Sequence, residues 1–325
     1  MTPRAHWLVS TPARTALAAL DGRIDALIDP SDTTLRATAT ALSRRGGKRL
    51  RPALLLLAAE FGELDHRRLL DAAAALELLH LASLYHDDVM DQARTRRHGP
   101  SVNARWGEPA AMTAGTFLVA RATRILAGLE DACGRETAAA MVRLCGGQLK
   151  ETENAFNLDL TESAHFDIIA GKTAPLFELP CRLGALLAGV PEAITGALLR
   201  YGAGLGLAFQ LADDALDLRG TAEALGKGPL RDVREGVYTL SLIRLLGRAA
   251  PEARRLRELL GLTEPCPAEI AEVAALALGS GAVEEALEEA RRRAAEARDQ
   301  LAALPRTPAR ESLCRLADHA VARAS

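Results

Sequence analysis

An all-α fold in a single domain is what this sequence predicts, on three observations. Hydrophobic residues make up 49% of the chain and aromatics only 3%, with Ala and Leu, both strong helix formers, dominating the apolar set. Apolar residues recur with helical period along most of the length, and the breaks fall where Gly, Pro and polar residues gather. No repeat of fixed period and no low-complexity linker divides the 325 residues, so one domain over 1–325 is preferred, with 1–32 its less certain N-terminal helical segment.

Taken in order, the pattern predicts helices at 12–28 and 33–44, parted by Pro30-Ser31-Asp32, and at 51–60 after Gly46-Gly47. A long helix follows at 67–92, then a loop at 93–100 rich in Arg with Gly99-Pro100, and helices at 101–129, 136–156 and 163–188. The helix at 192–218 is succeeded by a loop at 219–237 with several Gly, Arg and Lys residues. Shorter helices at 238–248, 251–261 and 267–278 lead to 281–303 and 308–323. In 281–303, Glu288 with Arg292 and Glu289 with Arg293 are i, i+4 pairs, which mark a solvated face. Gly202, Gly204 and Gly206 lie inside 192–218, where each costs ~1 kcal/mol relative to Ala; close backbone packing or room for a ligand explains keeping them.

Forty basic and 42 acidic residues leave a formal net charge of -2, so nothing points to nucleic acid. The five cysteines are odd in number and lack CxxC spacing, consistent with reduced thiols in the cytoplasm. No apolar run approaches a transmembrane length.

The chemistry is carried by two matching acidic clusters in apolar surroundings, Asp87-Asp88-x-x-Asp91 and Asp213-Asp214-x-x-Asp217. At 100° per residue, Gln210, Asp213, Asp214 and Asp217 form one stripe at i, i+3, i+4 and i+7, and Glu77, His80, Asp87, Asp88 and Asp91 share a similar arc. A helix apolar around the rest of its circumference is buried. Burying carboxylates without partners costs on the order of several kcal/mol per ion, so each cluster requires a cation. Magnesium suits an all-oxygen set that leaves room for water and substrate phosphate; no cysteine pair or histidine cluster argues for zinc.

Basic groups supply the complement. Gly46-Gly47-Lys48-Arg49-Leu50-Arg51-Pro52 sets three cations within four residues behind a flexible Gly pair, Arg96 and Arg97 follow the first cluster, Lys172-Thr173 interrupts an apolar stretch, and Lys227 lies after the second cluster. Carboxylates for metals together with Lys and Arg for direct contact suit a diphosphate, and the apolar remainder suits a hydrocarbon attached to it. Neither a Walker A loop nor a strand-end GxGxxG is present, which disfavours nucleotides.

These motifs in order, GGKRLRP at 46–52, HDDVMD at 86–91 with Arg96 and Arg97, GGQ at 146–148, GKTA at 171–174, FQLADDALD at 209–217, then DVREG at 232–236 and SGAVEEA at 280–286, resemble the all-trans isoprenyl (polyprenyl) diphosphate synthases over roughly 35–320. The resemblance implies an isoprenoid synthase-like helical bundle around a central apolar cavity, with the two aspartate-rich helices facing each other and clamping three magnesium ions on an allylic diphosphate. It further implies Asp87, Asp91 and Asp213 as direct ligands, with Asp88, Asp214 and Asp217 acting directly or through water. Arg96, Lys172 and Lys227 would hold the same diphosphate; Lys48, Arg51, His80 and Arg97 match positions that bind isopentenyl diphosphate; Thr173 and Gln210 would present oxygen dipoles to the allylic cation. Lys172, Thr173 and Gln210 are thus the expected catalytic group.

Short-product members often carry a bulky aromatic four or five residues before the first Asp, where this chain has Ser83 and Ala82. An open floor and a product of twenty to forty carbons are therefore expected, although Leu78, Leu79 or Phe117 could close the cavity deeper down. The resemblance also implies a homodimer. The chain departs from the pattern at His98, where Gly is usual, at Thr116 after Gly115, and at Val237 and Ser241 in place of a usual Lys and Pro. Two other readings compete: a class I terpene cyclase, which needs no isopentenyl diphosphate site, and a non-catalytic subunit of a heteromeric synthase, which typically lacks one aspartate cluster.

Overall fold

The computed structural model describes residues 6–28, 30–220 and 230–322. Lys227, assigned above to diphosphate binding, lies outside them. Sixteen α-helices account for the described fold: α1 Thr11–Ile28, α2 Thr33–Ala39, α3 Leu50–Ala59, α4 His66–Met90, α5 Val102–Trp106, α6 Glu108–Leu129, α7 Asp131–Glu153, α8 Glu162–Lys172, α9 Pro175–Leu187, α10 Glu192–Arg219, α11 Arg231–Arg234, α12 Leu240–Leu246, α13 Pro251–Leu260, α14 Pro267–Gly279, α15 Ala282–Gln300 and α16 Pro308–Ala322. The all-α expectation holds.

Its departures are local and have local causes. The stretch expected as one helix at 101–129 breaks into α5 and α6 at Gly107, whose φ of +87° leaves helical space, and Pro109 reopens the chain as helix. The stretch at 163–188 divides at Thr173 and Ala174, whose N–H groups both return to Ile169 O before Pro175 opens α9. The segment expected as 33–44 stops at Ala39 and resumes as a 3₁₀ turn over Ser43–Arg45. Within the expected loop 93–100, strand β1 Thr95–Arg96 pairs antiparallel with β2 Gly99–Pro100.

The helices gather into two compact units. The first comprises residues up to Met141, Leu176–Gly202 and Arg298–Leu316. In it α4 packs along α6 and against α3 and α1. Asp65 caps α4 by accepting the Arg67 and Arg68 N–H groups at 3.2 Å. Tyr85 on α4 is fully buried, and its hydroxyl donates to Thr38 O at 2.8 Å and accepts from Leu42 N–H, which ties the segment before GGKRLRP to the helix of the first cluster. Gly202 packs here, since a Cβ would stand 2.6 Å from Phe177 O.

The second unit comprises Val142–Pro175, Ala203–Ala297 and the residues from Ala317. Its core joins Leu211, Ala212, Ala215 and Leu218 of α10 to Leu242, Leu245, Leu256, Val273, Val283 and Leu287. Gly204 fits against α15, where a Cβ would stand 2.9 Å from that of Ala297. For Gly202 and Gly204, therefore, helix packing and not ligand space explains the glycine.

Candidate active site

In the first unit, α4 carries the first cluster at its C-terminal end. Asp88 is only 1% exposed, while Asp87 and Asp91 are half-buried. Arg96, brought back by the β1–β2 turn, donates from Nε to Asp88 Oδ1 at 2.7 Å and from Nη2 to the same oxygen. Asp88 Oδ2 is buried with no hydrogen-bond partner. Asn103, which no motif singles out, donates to both Asp88 O and Ala93 O at 3.0 Å and so fastens the chain after the cluster.

A group of cations lies in the same unit. The Arg51 guanidinium stacks over the Phe177 ring at 5.0 Å from its centroid, and its Nε is buried without a hydrogen-bond partner. Burial lowers Arg51 to about 10, against the pull of Glu77 and with a further push from Arg97. Arg97 is lowered chiefly by burial as well. His80 falls well below the ordinary imidazole range, first through burial and then through Arg51, Arg97, Arg96 and Arg49; it is therefore neutral at pH 7, and its buried Nδ1 has no partner. Crowded cations beside unpaired nitrogens describe a place that an incoming anion relieves. Lys48 is exposed.

Arg49, in the same motif, behaves differently. It is 7% exposed, pairs with buried Glu77 at 2.5 Å and with Asp21 at 2.8 Å, and donates to Ser43 O. Of the three cations in GGKRLRP, this one is structural: removing either partner of such a buried pair costs about 3–5 kcal/mol. Glu77, placed above in the acidic arc, is correspondingly satisfied.

In the second unit, α10 carries Gln210, Asp213, Asp214 and Asp217, with Asp214 6% and Asp217 1% exposed. Thr173 Oγ1 donates to Gln210 Oε1 at 2.9 Å, and Gln210 Nε2 donates to Asp214 Oδ1 at 2.7 Å. Lys172 pairs with Glu151. The crossing that places Lys172 is built by the motif glycines: a Cβ on Gly147 would run into Gly171 and Lys172 backbone, and one on Gly171 would stand 2.9 Å from the α-carbon of Gly147. GGQ and GKTA are thus two halves of one α7–α8 crossing.

Asp214 is raised well above the ordinary carboxyl range by burial and then by Asp232, with Asp213 and Glu151 adding and the Gln210 hydrogen bond opposing. Three neighbours of this group were missed by sequence reasoning. Asp232, inside DVREG, also supplies the backbone N–H that donates to Asp217 Oδ2 at 3.1 Å; Glu151 sits three residues after the GGQ glutamine; and His165 places Nε2 3.8 Å from Asp214 Oδ2. Only the first two had a motif that could have flagged them.

Among the described residues, no three His, Cys, Asp or Glu side chains form a ready-made metal nest. The residues nevertheless fit a hard divalent cation that keeps water and phosphate in its shell. Within its own unit, each of the buried, unpartnered Asp88 Oδ2 and the Asp214 carboxyl, raised by burial and then by neighbouring acids, would be relieved by an ion of this kind. Further down α4, Ala82 is fully buried, and Ser83 is half-buried with its hydroxyl returned to His80 O at 2.9 Å. A shallow depression of about 620 Å³ between Leu158–Glu162 and Ile243–Arg248 holds none of these groups. Its Arg244 and Arg257 pair with Glu162 and Asp159, and its Arg248 with Glu285, so its charge is balanced.

A family model described as polyprenyl synthetase matches residues 32–277. The chain belongs to this family. Among its curated relatives, a nonaprenyl diphosphate synthase of Mycobacterium tuberculosis is 36% identical over 312 residues, covering 95% of this chain and 93% of that protein. Component 2 of a heptaprenyl diphosphate synthase from Geobacillus stearothermophilus is 38% identical over 228 residues, 70% of this chain and 71% of that one. Among solved structures, a polyprenyl synthase from Caulobacter crescentus, complexed with calcium and isoprenyl diphosphate, superposes with a TM-score of 0.94 at 35% identity, covering 100% of this chain and 99% of that chain. The synthase resemblance read from the motifs therefore holds.

Proposed function

We propose that this polyprenyl synthetase condenses isopentenyl diphosphate with an allylic diphosphate, head to tail, to give an all-trans polyprenyl diphosphate. The observation that carries this reading is the group Arg51, His80 and Arg97, in which buried Arg51 Nε and His80 Nδ1 lack partners and await an anion in the unit that carries the first acidic cluster. A terpene cyclase needs no such second anion site, and a non-catalytic subunit has no use for two intact aspartate clusters.

In this reading Lys48, Arg51, His80 and Arg97 hold isopentenyl diphosphate, with neutral His80 acting as a hydrogen-bonding group and not as a charge. Arg96, Lys172 and Lys227 hold the allylic diphosphate. Asp87, Asp91 and Asp213 hold magnesium directly, and Asp88, Asp214 and Asp217 do so directly or through water. Bound magnesium, three ions per site by family expectation, supplies charge neutralisation on the departing diphosphate. Thr173 offers its oxygen to the allylic cation, and Gln210, whose oxygen already accepts the Thr173 proton, orients it. The isopentenyl double bond attacks, and the released diphosphate takes the proton, so the chain needs no Ser/His/Asp or Cys/His set of its own.

We further read the product as twenty to forty carbons long, on the small residues Ala82 and Ser83. The chain is read as one synthase domain, which the family match from 32 to 277 supports. It acts in the cytoplasm as a homodimer; no described helix is long and apolar enough to cross a membrane, and α6 exposes an uncharged row of Met112, Thr116 and Ala120 suited to a second copy. The test is purified protein with magnesium, isopentenyl diphosphate and dimethylallyl, geranyl or farnesyl diphosphate, products sized by chromatography. Linear products beyond fifteen carbons are expected. A cyclic hydrocarbon from one diphosphate would overturn the reaction, and a stop at fifteen carbons would overturn the length.

A further inference from the structure

The segment 42–47 and the β1–β2 turn interlock through two arginines used reciprocally. Arg97 of the turn donates to Leu42 O at 3.2 Å and to Gly46 O, and its guanidinium lies against Gly47, where a Cβ would stand 3.1 Å away. Arg45 of the segment donates to Arg96 O at 3.0 Å and to Pro100 O at 2.8 Å, and its guanidinium lies against Gly99, where a Cβ would stand 2.9 Å away. Each loop thus lends an arginine to the other's carbonyls and a bare glycine for the other's guanidinium to lie on.

The two arginines differ in what else they do. Arg97 is half-buried and acts on Arg51 and His80, whereas Arg45 spends its guanidinium on backbone carbonyls. Its bonds grip the turn on both sides, through the carbonyl of Arg96 on one strand and of Pro100 on the other. Arg97 and His98 are the two central residues of that turn, both at positive φ, so the Arg45 bonds hold the strands on either side of them.

We infer that Arg45 is a positioning residue for diphosphate recognition, holding the turn so that Arg97 stays with Arg51 and His80. This rests on the isopentenyl diphosphate site proposed above. The experiment measures KM for each substrate and kcat in Arg45→Ala, Arg45→Lys and Gly99→Ala, the last displacing the Arg45 side chain without deleting it. Expected is a roughly tenfold rise in KM for isopentenyl diphosphate, the size of one displaced charge-assisted contact, with a smaller change in kcat. The lysine variant, able to reach only part of the same carbonyl pair, should fall between Ala and wild type.

An isopentenyl diphosphate KM within twofold of wild type in folded Arg45→Ala and Gly99→Ala overturns the inference, as does a loss of kcat alone in step with the folded fraction. If Arg45→Ala fails to fold, Gly99→Ala and Arg45→Lys decide. Wild-type protein that never consumes isopentenyl diphosphate would instead sink the functional reading itself, so the two failures are separable.

Discussion

His98 sits at φ +58° directly after Arg97 at φ +50°, closing a two-residue turn between Arg96 and its partner Gly99. Both central positions of such a hairpin turn require φ > 0, which explains why Gly is usual there and makes His98 a strained substitute. His98→Gly is expected to raise stability by about 0.5 kcal/mol, the strain relieved less the entropy of a freer unfolded chain, as a higher urea midpoint. His165 allows a pH prediction. Burial, opposed by Glu162, lowers it to about 4, so between that value and the ordinary 6.5 the unfolded chain binds the extra proton. Its contribution is intact above pH 6.5 and is lost as pH falls towards 4, about 2 kcal/mol between pH 7 and pH 5. Urea titrations of metal-free wild type and His165→Asn should show the variant losing less stability over that interval.

Among elements, the α7–α8 crossing and the course of α4 matter most. A methyl group at Gly147 meets backbone and not a movable side-chain tip, so Gly147→Ala is expected to cost about 3 kcal/mol and to lower activity by moving Lys172. Thermal melting read beside kcat checks both effects. On α4, Ser83 lies one turn before Asp87 and is half-buried. Ser83→Phe should shorten the product distribution without loss of isopentenyl diphosphate turnover, read by chromatography of chain lengths. An unchanged distribution would mean that another position limits growth. Most helices were legible because their apolar period and their Gly and Pro breaks are local signals. The breaks at Gly107 and Thr173 were not, because one residue leaving helical space does not disturb the periodicity on either side of it.

For the whole molecule, the prediction concerns assembly. Met112 is 42% exposed on α6, in a row with Thr116 and Ala120 that carries no charge. Ala120→Glu should convert a dimer to monomers in sedimentation experiments if that row meets a second copy. A dimer that persists places the interface elsewhere.

From the sequence alone came the helical class, the family and the residue types of the chemistry, because helical periodicity and motif spacing are properties of neighbouring positions. Tertiary structure alone separated the roles of similar residues. Arg49 and Arg51, two positions apart, part company only when Glu77 arrives from α4 to neutralise the first and Phe177 from α9 to cover the second. Glu151, His165 and Asp232 gather around Asp214 from three separate segments. Charge and burial act through space, so which cation stays unpaired, and which carboxylate is pressed to take up a proton or a metal, is decided only by residues distant in the chain.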